Sequence, residues 1–202
     1  MNVAIIKYNA GNVQSVLYAM QRLGIDATVT DDYEKITKAD KVIFPGVGHA
    51  ASAMKYLKRK ELDTLIISLK QPVLGICLGL QLLCNYSEEG DTSCLGIFDA
   101  SVKRFEEKAP AEKSELFKIP HMGWNDIYNL SSPLLNGIKE NSFVYYVHSY
   151  YAEIATETIA TTDYIHPFSA AMQKNNFYGV QFHAEKSASV GEQIISNFLK
   201  IK

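Results

Sequence analysis

An α/β fold, with a mostly parallel central sheet flanked by helices and additional antiparallel strands, follows from three features of the sequence. Short apolar runs at residues 3–6, 41–44 and 72–76 alternate with stretches of helical periodicity. Two of these runs lead into glycine-bracketed turns, Pro45-Gly46-Val47-Gly48 and Gly75-Ile76-Cys77-Leu78-Gly79. From residue 94 to 171 the helical period gives way to short strand-like segments and turns. Apolar strands alternating with helices imply a parallel sheet covered on both faces.

The elements follow in order. Val3-Ala4-Ile5-Ile6 reads as a buried strand, and Tyr8-Asn9-Ala10-Gly11-Asn12 as a turn with Asn12 as helix N-cap. Val13, Val16, Leu17, Met20 and Leu23 recur at helical spacing, and Gly24 closes that helix. Residues 25–30 form a second strand and 41–44 a third. Amphipathic helices are expected near 50–58 and 61–69, a fourth strand at 72–76, and a short helix at 78–85. Strands are then expected at 100–105, 123–128, 143–151, 158–162 and 176–182, before a closing helix at 187–199.

A chain of 202 residues with 47% hydrophobic and 21% charged residues has enough apolar material for one core, so residues 1–202 are read as a single domain. The net charge of -2 offers no basic surface for nucleic acid or an anionic membrane. The first seven residues lack the basic and long apolar regions of a signal peptide, and no apolar stretch reaches membrane-spanning length. Three cysteines form no paired framework, which points to a reducing, cytoplasmic setting. Their spacing is not C-x-x-C and no H-E-x-x-H occurs, so no metal is expected.

The most informative segment runs from Leu74 to Gln81. A buried strand meets a cysteine, a helix starts at once, and glycines stand two positions on either side. This is the logic of a nucleophile elbow with sulfur in place of oxygen. Side chains at Gly75 and Gly79 would collide with neighbouring backbone. The helix start favours a thiolate on Cys77, and the Leu78 N–H could face a developing oxyanion. The alternative is a buried cysteine flanked by packing glycines. Cys84 and Cys94 have no such setting.

A cysteine nucleophile needs a base, and the base an orienting group. Of five histidines, His183 stands at the end of a strand with Glu185 two residues on, where an extended backbone would put both side chains on one side. His148 could equally be a hydrogen-bonded core residue. The Pro45–Gly48 turn fits G-x-G-x-x-A on paper, yet it follows the third strand and no acidic residue closes a later strand for ribose. Its better use is a set of N–H groups at Gly46, Val47 and Gly48, completing an oxyanion hole with Leu78. Trp124, the only tryptophan, is either a core residue or an interface anchor.

Together these residues resemble the class I glutamine amidotransferases. The family's G-x-C-x-G-x-Q elbow is matched by Gly75, Cys77, Gly79 and Gln81, its oxyanion loop by the 45–48 segment, and its H-x-E by His183 and Glu185. Within the family, Tyr8-Asn9-Ala10-Gly11-Asn12, Pro120-His121-Met122-Gly123-Trp124-Asn125 and Val147-His148-Ser149-Tyr150 resemble glutaminase subunits of imidazole glycerol phosphate synthase. The resemblance implies a Cys77-His183-Glu185 triad that hydrolyses glutamine, without a cofactor. It implies glutamine contacts at Gln81, Glu89, Ser149 and Tyr150. It also implies a heterodimer in which ammonia passes to a (β/α)₈-barrel cyclase of histidine biosynthesis, and near-silence until that partner is bound. Ala184 departs from the family's usual proline, which leaves the turn less rigid. Rival expectations are a glutaminase of another pathway or a γ-glutamyl hydrolase, a dinucleotide-binding module, and a non-catalytic relative.

Overall fold

The computed structural model describes residues 1–8, 13–106 and 118–202. In chain order its first half comprises β1 (Val3–Ile6), α1 (Val13–Arg22), β2 (Ala27–Thr30), α2 (Tyr33–Lys38), β3 (Lys41–Gly46), α3 (Ala50–Arg59), α4 (Leu62–Ser68), β4 (Val73–Cys77) and α5 (Leu78–Leu83). The second half adds β5 (Tyr86–Ser87), β6 (Thr92–Ser93), β7 (Ser101–Arg104), β8 (His121–Ile127), β9 (Ser142–His148), β10 (Tyr150–Ala152), β11 (Thr158–Asp163), β12 (Pro167–Lys174), β13 (Phe177–Val180) and α6 (Ala188–Lys200). Asn12, the expected cap of the first helix, lies outside the described residues.

Seven strands form the central sheet in the order β11-β12-β13-β4-β3-β1-β2. Pairing is parallel from β2 through β13, and antiparallel between β13 and β12 and between β12 and β11. Side chains of alternating strand positions build a core on each face. Ile5, Ile43, Leu74 and Val180 pack on one side with Met20 of α1 and Ile194 and Phe198 of α6. Ile6, Val42, Phe44 and Val73 pack on the other with Met54, Leu57, Ile66 and Leu80 of α3, α4 and α5. Leu80 is fully buried, so truncation to alanine would cost about 2–5 kcal/mol. A four-stranded sheet, β10-β7-β5-β6, and the β8–β9 pair complete the fold.

Three details differ from the sequence reading. The segment at 143–151 is two strands, because the chain leaves the β8–β9 ladder at Ser149 and joins β7 as β10. α2 was not anticipated; Asp32 caps it, accepting the Lys35 N–H at 2.9 Å. β12, which begins inside the region read broadly as strands and ends beyond it, pairs antiparallel with both β11 and β13 within the central sheet. Among the described residues no helix is long and apolar enough to cross a membrane.

Candidate active site

β4 sits between β3 and β13, and all three run parallel, so their carboxyl ends open on one side of the sheet. Cys77 ends β4 with φ 54° and ψ -110°, a conformation that costs a residue with a side chain about 1–3 kcal/mol. Its neighbours enforce the bend. A β-carbon at Gly79 would lie 1.8 Å from the Phe44 carbonyl oxygen, and one at Gly75 2.8 Å from the Gly79 backbone. Both glycines of the elbow are therefore required by close approach, as the sequence suggested. α5 has only six residues, so its effect on Cys77 rests on the N–H groups of its first turn.

β13 ends at Val180, and residues 181–183 carry the chain to the same edge. His183 itself is extended, at φ -83° and ψ 92°, but a 3₁₀ turn, Ala184–Lys186, follows at once where continued extended backbone was expected. The turn achieves the expected pairing by another route: His183 Nδ1 is 2.8 Å from Glu185 Oε1, and both side chains are buried. With Nδ1 taken by the carboxylate, the other ring nitrogen is left for Cys77. Burial pushes the imidazolium down. Hydrogen bonds to Cys77 and Glu185, and their charges, outweigh that and lift His183 to about 10. The His183 N–H donates to the Tyr145 carbonyl at 2.9 Å, and the Ser187 hydroxyl donates to the His183 carbonyl at 2.7 Å. The His183 backbone is thus fastened to β9.

Cys77 and His183 open onto a cleft of about 570 Å³, also lined by Val47, Gly48, Leu78, Gln81, Glu89, Ser149 and Tyr150. That volume lies within the usual span of small-molecule sites, about 300–1,000 Å³. Gly46 lies just behind, where a β-carbon would stand 2.3 Å from the Tyr8 hydroxyl and 2.8 Å from Leu78 Cβ. Gly48 has φ +114° with nothing near its missing side chain, so its need for glycine is conformational. Glu89 Oε2 accepts the Ala50 N–H at 2.6 Å. A carboxylate therefore occupies the start of α3, where a dinucleotide would place its pyrophosphate, and the binding-module reading loses its anion site. Gln81 is buried against the cleft and its Nε2 donates to the Tyr150 carbonyl at 2.8 Å. Among the described residues no cluster of His, Cys, Asp or Glu could hold a metal ion.

Three groups at the site were not singled out in the sequence. Gln181 is buried with Nε2 3.7 Å from Cys77 Sγ. The signal for it was weak: a polar residue in an apolar strand end, two positions before His183. Tyr8 is buried beneath residue 46, and its hydroxyl has no hydrogen-bond partner among the described residues. His121 pairs with His148, Nδ1 to Nε2 at 3.0 Å, and His148 Nδ1 donates to the Tyr150 carbonyl at 2.7 Å. Burial holds these imidazoles down, His121 to about 4 and His148 to about 3, with His121 a further cause for His148. His148 thus combines the core role weighed for it with a place on the cleft wall.

The outer face of β8–β9 is apolar and open to solvent. Met122, Trp124 and Phe143 are 64%, 52% and 57% exposed, and Trp124 packs edge-on to Tyr145. Trp124 is therefore no core residue. Val147 of this ladder and Pro120, just before β8, line the cleft, so this surface continues to its mouth.

A family model, "Glutamine amidotransferase class-I", matches residues 4–201. The chain is 58% identical to "Imidazole glycerol phosphate synthase subunit HisH" of Bacteroides fragilis and 55% identical to that of Bacteroides thetaiotaomicron, with full coverage of both chains in each case. For the same subunit of Shewanella loihica the identity is 46%, over 98% of this chain and 89% of that one. Among solved structures, "Structure of PurLQS from Thermotoga maritima" superposes with a TM-score of 0.70 at 15% identity, covering 98% of this chain and 97% of that one. A glutamine amidotransferase of the same organism superposes with a TM-score of 0.66 at 18% identity, covering 99% and 83%. At such identities these two speak for the fold.

Proposed function

Because the chain belongs to the class I glutamine amidotransferases, we propose that it hydrolyses glutamine to glutamate and ammonia with Cys77, His183 and Glu185. The ammonia serves a (β/α)₈-barrel cyclase subunit of imidazole glycerol phosphate synthase, in histidine biosynthesis in the cytoplasm. The full-length likeness to the HisH subunits supports the pathway. The observation that carries the chemistry is the strained Cys77 facing a buried His183 whose Nδ1 is held 2.8 Å from Glu185.

Glutamine lies with its side-chain amide over Cys77. The sulfur forms a bond to the amide carbon, and the carbonyl electron pair moves to oxygen, where the N–H groups of Leu78 and of the 46–48 loop receive it. His183, protonated at neutral pH by its place between Cys77 and Glu185, passes a proton to the nitrogen. The C–N bond breaks and ammonia departs. Water then attacks the thioester with His183 as base, the C–S bond breaks with its pair returning to sulfur, and glutamate leaves. Gln81, Glu89, Ser149 and Tyr150 hold the amino-acid end, on walls formed by α5, the β5–β6 connection and the β9–β10 junction.

Met122, Trp124 and Phe143 form the docking face for the cyclase, since a contiguous exposed apolar patch beside a cleft marks an interaction site. Tyr145 of that ladder accepts the His183 N–H, which gives partner binding a direct hold on the base. The Gly48 conformation supports gating by a peptide turn in the loop.

Glutamate release is the test, measured with the chain alone and then with the cyclase and its ribonucleotide. Weak release alone and strong release with both is expected. Cys77→Ser should abolish glutamine-dependent synthesis and spare synthesis from added ammonia. Vigorous release by the lone chain would overturn the partner assignment, and loss of both activities in Cys77→Ser would make Cys77 structural.

A further inference from the structure

Gln181 is a polar side chain wholly removed from solvent beside the nucleophile, and its orientation is fixed by its neighbours. The Tyr150 carbonyl can only accept, so the Gln81 group 2.8 Å from it is the amide nitrogen. That nitrogen also lies 3.0 Å from Gln181 Oε1, which must then be the oxygen. Turned over, Gln181 would set two NH₂ groups against each other. The remaining end of its amide, Nε2, therefore points a hydrogen at Cys77 Sγ, 3.7 Å away. On another side of the sulfur the Val147 carbonyl oxygen stands 3.9 Å off, an acceptor that a neutral thiol can use and a thiolate cannot.

We propose that Gln181 is a further catalytic residue, whose amide N–H stabilises the Cys77 thiolate both as nucleophile and as the group released from the thioester. This rests on the reading of Cys77 as nucleophile. A hydrogen bond to a charged group is stronger than one to a neutral group, so the N–H favours thiolate over thiol. Stabilisation also lowers the intrinsic nucleophilicity, with a sensitivity of about 0.4–0.5, so attack gains only as far as the added thiolate outweighs that loss. In the second step the gain is direct, because the C–S electron pair comes to rest on a sulfur already facing a donor. The titratable groups that share this environment are His183 with Glu185 behind it, Tyr8 beneath, His148 on the β9 wall, and Glu89 and Lys186 at the cleft. None of them changes when Gln181 is replaced by a residue of similar shape.

The experiment uses the complex with its cyclase. The rate of Cys77 alkylation by iodoacetamide is followed against pH by peptide mass, for wild type, Gln181→Met and Gln181→Glu. Cys84 and Cys94 stay quiet in such labelling: Cys84 is buried and Cys94 half-buried, and burial pushes Cys94 up to about 12 and Cys84 up as well. Relative to wild type, the inflection should rise by about one to two pH units in Gln181→Met. It should rise further in Gln181→Glu, whose carboxylate repels a thiolate. Turnover of glutamine should fall about tenfold in Gln181→Met with KM nearly unchanged. Co-elution with the cyclase reports that each variant is folded and assembled, and Gln181→Glu, nearly identical in shape, serves should the methionine variant fail to fold. Superimposed alkylation profiles would overturn the proposal, even with reduced turnover, since a packing role alone would leave the profile in place. Glutamine turnover surviving in Cys77→Ser would overturn the nucleophile itself, a result the alkylation comparison does not mimic.

Discussion

Gly79→Ala sets two effects against each other. Helix propensity favours alanine over glycine by about 1 kcal/mol within α5. Against it, the new β-carbon would stand 1.8 Å from the Phe44 carbonyl oxygen and 3.0 Å from its carbon. An ordinary C···O contact needs about 3.3 Å, so α5 and β3 must separate by more than an ångström. Both belong to the centre of the molecule, and overpacking there costs about 1–3 kcal/mol or more. The net expectation is a loss of about 2 kcal/mol in spite of propensity. The same shift parts the 46–48 loop from Cys77, and a displacement of about 1 Å lowers turnover on the order of 100-fold. Urea unfolding measures the first effect, and glutamate release in the presence of the cyclase measures the second. A variant as stable as wild type, with turnover within about threefold, would refute the account of the elbow.

Three more expectations concern other parts of the molecule. His121 and His148, held to about 4 and about 3, remain neutral when folded but titrate near 6.5 when unfolded, so the unfolded chain binds more protons as pH drops below 6.5. Stability should therefore fall by about 4 kcal/mol from this pair between pH 7 and pH 5, and His121→Phe should show about half that loss in urea unfolding at the two pH values. An equal pH effect in both proteins would remove the pair as its cause. His183 works in the opposite direction: its contribution is complete below about 6.5 and disappears as pH rises through about 10. Trp124→Ala should weaken association with the cyclase by at least about 30-fold in a calorimetric titration while the unfolding midpoint of the lone chain stays put; unchanged affinity would exclude this face as the dock. Tyr8→Phe removes a buried hydroxyl without a partner among the described residues, and should raise stability by about 1 kcal/mol in urea; a loss of that size would mean the hydroxyl is satisfied in solution.

What the sequence disclosed tracks the range of the interaction concerned. The Cys77 elbow was legible because Gly75 and Gly79 lie within two residues of it and have no sterically tolerable replacement. The spacing of His183 and Glu185 suggested their pairing, and Cys77 at the end of another strand gave it weight; a 3₁₀ turn rather than a strand unites them. Gln181 escaped notice because its meaning depends on Gln81 and Cys77, about half the chain away, and on which way an amide faces. Tyr8 was read as part of a turn and of a segment shared with the family, but with no role of its own, since nothing local shows that its hydroxyl ends beneath Gly46. α2 was passed over because only Ile36 of its six residues is buried, which leaves no periodic stripe. β12 is buried through Phe168-Ser169-Ala170-Ala171-Met172, where small residues blunt the apolar signal. The break at Ser149 is a choice between two sheets, made by partners that no local pattern names.

The position of β13 has a consequence for biosynthesis. It lies between β4 and β12 in the sheet yet is the last strand in chain order. While the ribosome is still at work, β4 carries an open edge on the side β13 will fill, and unpaired edges invite association with other chains. Cys77 exists throughout that interval without His183. On the proposed mechanism the nascent polypeptide holds a thiol but no base, so it cannot release ammonia before the β8–β9 ladder and the cleft are both complete. A chain interrupted before residue 177 would be a hazard to solubility rather than a partly working enzyme.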